Sequence, residues 1–153
     1  MIVVSDTSPI TALLTSGAGD LLVQLFHEAV IPTAVRDELL RSHRVLPTWL
    51  RVETVQDSAR VRAYAQTLDI GEAEAIELAR ELRADYLLMD ERKGRAIARR
   101  EGIPIIGLLG IVLLAKRQRL IPSARALVAR LESEAGMYLA AEIREAAFKT
   151  VGE

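Results

Sequence analysis

The chain has 153 residues, half of them hydrophobic and 27% charged, with a formal net charge of -1. This composition is too apolar and too nearly neutral for a disordered chain, and the length suits one domain that buries roughly 68–70% of its unfolded surface. Balanced charge and a pI of about 6.2 exclude a globally basic nucleic-acid binder, while a local basic face stays open.

Apolar β-rich runs alternate with helical patterns, the signature of an α/β domain built on a parallel sheet. Ile2 to Ser5 reads as the first buried strand, with Ser8 and Pro9 as N-cap and first helical residue of the segment after it. A second helix is expected from about Asp20 to His27, a short strand at 29–31, and a helix opened by Pro32 that runs to about Arg41. Residues 51–55 alternate polar and apolar and suit an edge strand. The next helix begins near Gly71, and Tyr86 to Met89 forms a strand bounded by Asp85 and Asp90. A helix from Glu91 to Arg100 stops at Gly102, well placed as its C′ residue. Ile103 to Ile106 is a further strand, in which Pro104 favours the first position or a sheet edge. From Leu108 onward the pattern is helical, with breaks at Pro122 and Gly136 and a last helix from about Tyr138 to Lys149.

One domain spanning 1–153 is expected, with 122–153 as a helical C-terminal extension. The extension carries apolar stripes, Leu127, Leu131 and Ala135, then Leu139, Ile143 and Ala147. They suit either packing on the chain's own core or a surface for another subunit or protein. The N-terminus lacks the basic and long apolar regions of a signal peptide. The longest apolar run, Ile103 to Ala115, is interrupted by Pro104, Gly107 and Gly110 and falls short of a membrane span of roughly 20 residues. A cytoplasmic protein without membrane attachment is expected.

No cysteine is present, which excludes a disulfide scaffold, a zinc ribbon and a thiol nucleophile. With His27 and His43 the only histidines, a metal here would be a hard cation held by oxygen. The placement of four acids then matters most. Asp6 and Asp90 each follow a buried strand and precede a helix, so both emerge where the carboxyl ends of parallel strands open into a ligand crevice. Each is equally readable as a helix-capping aspartate. Glu38 shares a helical stripe with Val35 and Leu39, the side the helix buries, whereas Asp37 turns away. Such a carboxylate needs a partner, either an arginine or a cation shared with other acids. Glu72 lies over Ala75, Ile76 and Ala79 and also suits the dipole of a helix's first turn. Glu74 and Glu77 fall on other faces and read mainly as solvated. Should the four acids converge, their mutual repulsion raises their pKa values, and Mg²⁺ or Mn²⁺ relieves it. Thr7, Ser8, Glu74 and Glu91 stand as supporting groups. Arg92, Lys93 and Arg95 after Asp90, with Arg99 and Arg100, and Arg36, Arg41 and Arg44 around Glu38, offer forks for phosphate oxygens.

These stretches together resemble the PIN-domain ribonucleases, in particular the short prokaryotic branch related to VapC-type toxins. The resemblance rests on 4–9 (VSDTSP), 31–38 (IPTAVRDE), 69–76 (DIGEAEAI), 87–92 (LLMDER), then 95–98 (RAIA) and 102–111 (GIPIIGLLGI). It implies a three-layer α/β/α fold around a central parallel sheet. It also implies Mg²⁺ or Mn²⁺ held by Asp6, Glu38, Glu72 and Asp90, and endonucleolytic cleavage of RNA. Relatives of this kind are commonly homodimers and often the toxin of a toxin–antitoxin pair, which makes an antitoxin protein an expected partner. Glu72 stands where many relatives have an aspartate. A PIN-like protein-binding module with weak or no catalysis is the alternative. A receiver or phosphohydrolase domain is disfavoured, because Asp6 is followed by Thr7 and Ser8 rather than by the Asp-x-Asp of a nucleophile motif.

Overall fold

Burial alternates along the central strands, and this alternation divides the core in two. A computed structural model describes residues 1–153. Its sheet contains β1 (Ile2–Ser5), β2 (Glu28–Pro32), β3 (Leu50–Glu53), β4 (Tyr86–Leu88) and β5 (Ile105–Ile106), all parallel, in the order β3-β2-β1-β4-β5. Val3, Ala29, Ile31 and Leu88 face one apolar cluster, and Val4, Val30, Leu87 and Met89 face the other. Successive strand side chains point to opposite faces, so short runs buried on both sides produce a sheet that needs helices on both.

Nine helices supply that cover. On one face lie α1 (Thr7–Thr15), α2 (Asp20–Phe26), α7 (Leu108–Arg117) and α8 (Ala124–Ala135), with Val35 and Leu39 of α3 (Thr33–Ser42) and Phe148 of α9 (Ala141–Lys149). On the other face lie α4 (Ser58–Tyr64), α5 (Ile70–Leu82) and α6 (Arg92–Arg100). The result is a three-layer α/β/α arrangement, as expected. Leu127, Val128 and Leu131 of α8 are buried in the first cluster, so the first part of the C-terminal extension packs on the chain's own core. No single helix is long and apolar enough to cross a membrane.

The boundaries depart from expectation where caps and tertiary contacts act. The first helix starts at Thr7, with Asp6 in the N-cap position and Ser8 inside the helix. Pro9 is thus the third helical residue, a place where its missing N–H costs no helical bond. The strand at 29–31 extends to Glu28–Pro32 because β1 and β3 pair with it on both sides. The helix α4, where the sequence reading expects no element, buries Val61 and Tyr64 and begins at an Asp57 cap that accepts from Arg60 N–H at 3.1 Å. β3 and β5 are the edges, and β5 is only two residues long. Gly102 takes a left-handed conformation (φ +74) after α6. The last helix begins at Ala141, after an irregular connector.

The chain runs outward from β1 through β2 to β3, then returns to place β4 on the other side of β1. The strand order therefore reverses between β1 and β4. In open parallel sheets the crevice at such a reversal, beyond the carboxyl ends of the strands, is the ligand site.

Candidate active site

Asp6 and Asp90 flank this reversal. Ser5 lies in register with Leu88, and Asp6 N–H donates to Leu88 C=O at 3.1 Å, so the two strand ends emerge side by side. Asp6 sits in the N-cap position of α1 but makes no side-chain cap bond. It is only 7% exposed. Burial raises its pKa to about 6, opposed by the Thr7 N–H and reinforced by the charges of Asp69, Glu38 and Asp90.

A cavity of about 630 Å³ opens at this point, lined by Asp6, Thr7, Ser8, Glu38, Glu72 and Glu91 together with Asp69, Thr11, Thr15 and Glu134. Glu38 is half-buried on α3. Its partner is neither an arginine nor a lysine: Thr7 Oγ1 donates to Glu38 Oε2 at 2.6 Å. The α3 helix lies against α5 closely enough that a Cβ on Gly71 would fall 2.5 Å from Glu38 Oε1. Glycine at this position leaves the Glu38 carboxylate room against the start of α5.

Glu72, also 7% exposed, forms a capping box with Asp69. Glu72 N–H donates to Asp69 Oδ1 at 2.8 Å, and Asp69 N–H donates to Glu72 Oε1 at 3.2 Å. Its second oxygen, Oε2, is buried without a hydrogen-bond partner. Burial first, and the contact with Asp69 next, push the Glu72 pKa up. Asp90 is exposed as a residue and lines an adjoining groove rather than the cavity itself. Its carboxylate accepts from Leu108 N–H at 3.2 and 3.3 Å, capping α7 from outside that helix. Desolvation of the carboxyl still raises its pKa, against the pull of Leu108 N–H and of Arg95. Neither Asp6, Glu38, Glu72 nor Asp90 belongs to an ion pair.

Other expected residues sit elsewhere. Glu74 is not a solvated residue. It is half-buried and caps α3, accepting from Ala34 N–H at 3.0 Å and Thr33 Oγ1 at 3.3 Å. Glu77, also expected in solvent, is 0% exposed and held by Arg80 through Nε at 2.9 Å and Nη2 at 2.6 Å. Arg92 and Lys93 are exposed in the first turn of α6, outside the cavity. Arg95 is half-buried near Gly107 and Asp90, with its Nε unpartnered. Asp69 lines the cavity without being among the expected site residues, although Asp69 followed by Glu72 at the third position is a legible capping-box pattern. Glu134, brought in by α8, has no comparable signal.

The donor set is carboxylate and hydroxyl oxygen only, the chemistry that suits a hard divalent cation. The unpartnered Glu72 Oε2 and the space kept open by Gly71 and Gly107, where a Cβ would fall 2.8 Å from Asp90 Oδ1, fit such an ion. As the side chains stand, no three of these acids are close enough to hold one together. Asp6, Glu38 and Glu72 nevertheless line one cavity.

A family model described as a PIN domain (DUF3368) matches residues 2–153. No curated protein matches the chain.

Proposed function

This chain belongs to the PIN-domain family, whose members are generally nucleases and typically use divalent metals, and from that premise we propose that it is a metal-dependent endoribonuclease. The observation that carries the reading is the group of buried or half-buried acids Asp6, Glu38 and Glu72 in one cavity with no basic partner. Burying unpaired carboxylates costs stability, and a site kept at that cost is a functional candidate with a physical reason behind it. Asp6, Glu38, Glu72 and Asp90 would hold Mg²⁺ or Mn²⁺. When bound, the ion supplies a nucleophilic water near neutral pH and charge stabilisation for a phosphodiester.

The chain's own residues have separable tasks. Thr7 orients Glu38 through its hydroxyl, and the Asp69–Glu72 capping box leaves the other Glu72 oxygen without a hydrogen-bond partner. Asp6 carries a proton below about pH 6 and loses it above, which makes it available to a cation at neutral pH. Arg92 and Lys93 at the exposed start of α6 meet RNA phosphates, with Arg95 behind them. Purified protein should cleave single-stranded RNA in Mg²⁺ or Mn²⁺ and stop in chelator. Cleavage unaffected by chelation would end the metal-dependent reading.

From the resemblance of the quoted motifs we further propose that the chain is the toxin of a toxin–antitoxin pair and acts as a homodimer in the cytoplasm. Expression should arrest growth, and a small protein encoded beside it should restore growth by binding. A binding module with weak catalysis is favoured by one observation, the commitment of Glu72 Oε1 to its capping box. Metal titration by calorimetry separates the two, since a module binds no ion through these acids.

A further inference from the structure

Of one tryptophan, three tyrosines and two phenylalanines, only Tyr138 is exposed, at 86%. It stands in the connector between α8 and α9. Gly136 ends α8 in a left-handed conformation (φ +71), and Met137 N–H returns to Leu131 C=O at 3.1 Å. Met137 and Leu139, on either side of Tyr138, pack against the main core. The ring is therefore held outward between two anchors.

Tyr138 lines a groove of about 370 Å³ with Leu109, Leu139 and Asp90. This groove shares Ser8, Ala12 and Ala135 with the acidic cavity, so the two adjoin. A mostly apolar slot with one aromatic wall thus borders a cavity lined by carboxylates, and Ser8 lies on the wall they share.

We propose that this groove takes an unpaired nucleobase of single-stranded RNA beside the bond to be cut, stacked on Tyr138; the inference rests on the RNA-cleaving reading of the acidic cavity. A base presents two flat apolar faces, which match the tyrosine ring and the leucines, and polar edges, which match the Ser8 hydroxyl. Bases of a duplex are stacked inside it, so the groove selects single-stranded RNA. Because every base has a π-face, stacking here tolerates any sequence.

The test uses the full chain in Ca²⁺ with a short single-stranded RNA carrying one fluorescent adenine analogue. Wild-type protein should quench the analogue on binding. Tyr138→Ala should lose the quench and bind about tenfold more weakly, while Tyr138→Phe and Tyr138→Trp keep both and all three melt like the wild type. Unchanged quench and affinity in Tyr138→Ala would overturn the groove and leave the ribonuclease reading standing. Failure of the wild type to bind any RNA would overturn both. A drop in mass by light scattering for Tyr138→Ala would assign this face to a second copy of the chain and overturn the base-binding role.

Discussion

Thr7 Oγ1 and Glu38 Oε2 meet at 2.6 Å across 31 residues of sequence, tying the first turn of α1 to the middle of α3. A half-buried carboxylate held by one hydroxyl loses its fixed rotamer when that hydroxyl goes. Thr7→Val should destabilise the protein by about 1–2 kcal/mol in urea unfolding and weaken Mn²⁺ binding in calorimetry. Thr7→Ser should restore both.

Asp6 contributes the opposite sign. Its folded pKa of about 6 lies above the ordinary 3.8, so the native state binds more protons between those values and stability falls as pH rises through them. Above about pH 6 the ionised group costs on the order of 2–3 kcal/mol. Asp6→Asn in chelator should therefore be more stable than wild type at pH 8, with the gap closing toward pH 4. In Mn²⁺ the order should reverse, because only the wild type gains binding energy. The variant should also lose RNA cleavage.

Gly71→Ala tests how closely α3 and α5 approach. The added Cβ would meet the end of the flexible Glu38 side chain at 2.5 Å rather than backbone. The fold should survive with a thermal midpoint near the wild type, since the carboxylate can swing away. Metal affinity should fall by about tenfold, the loss of roughly one charged hydrogen bond's worth of positioning.

Glu74 caps a helix to which it does not belong. Glu74→Ala removes the acceptor for Ala34 N–H and should cost about 1 kcal/mol in denaturant unfolding. Glu74→Gln, which keeps an acceptor oxygen, should cost less. Any fall in cleavage should follow the loss of folded protein, because the side chain does not line the cavity.

The strands, the α/β alternation and the positions of Asp6 and Asp90 were legible because they depend on local patterns. Short β-branched runs such as Ile2 to Ser5 mark buried strands, and an acid directly after such a strand must emerge at its carboxyl end. The stripe that turns Glu38 inward is likewise a property of helix period alone. Glu74 and Glu77 were misread for the same reason. Helix phase gives a direction, but α3 and Arg80 decide what waits there.

By itself, then, the sequence determined which acids sit at strand ends and on buried helical stripes, since backbone geometry is set residue by residue. The tertiary structure alone decided that Thr7 rather than an arginine partners Glu38, that Leu108 N–H engages Asp90, and that α8 carries Glu134 to the cavity. Those pairings join segments tens of residues apart, and they form only when packing on both faces of the sheet fixes where each helix ends.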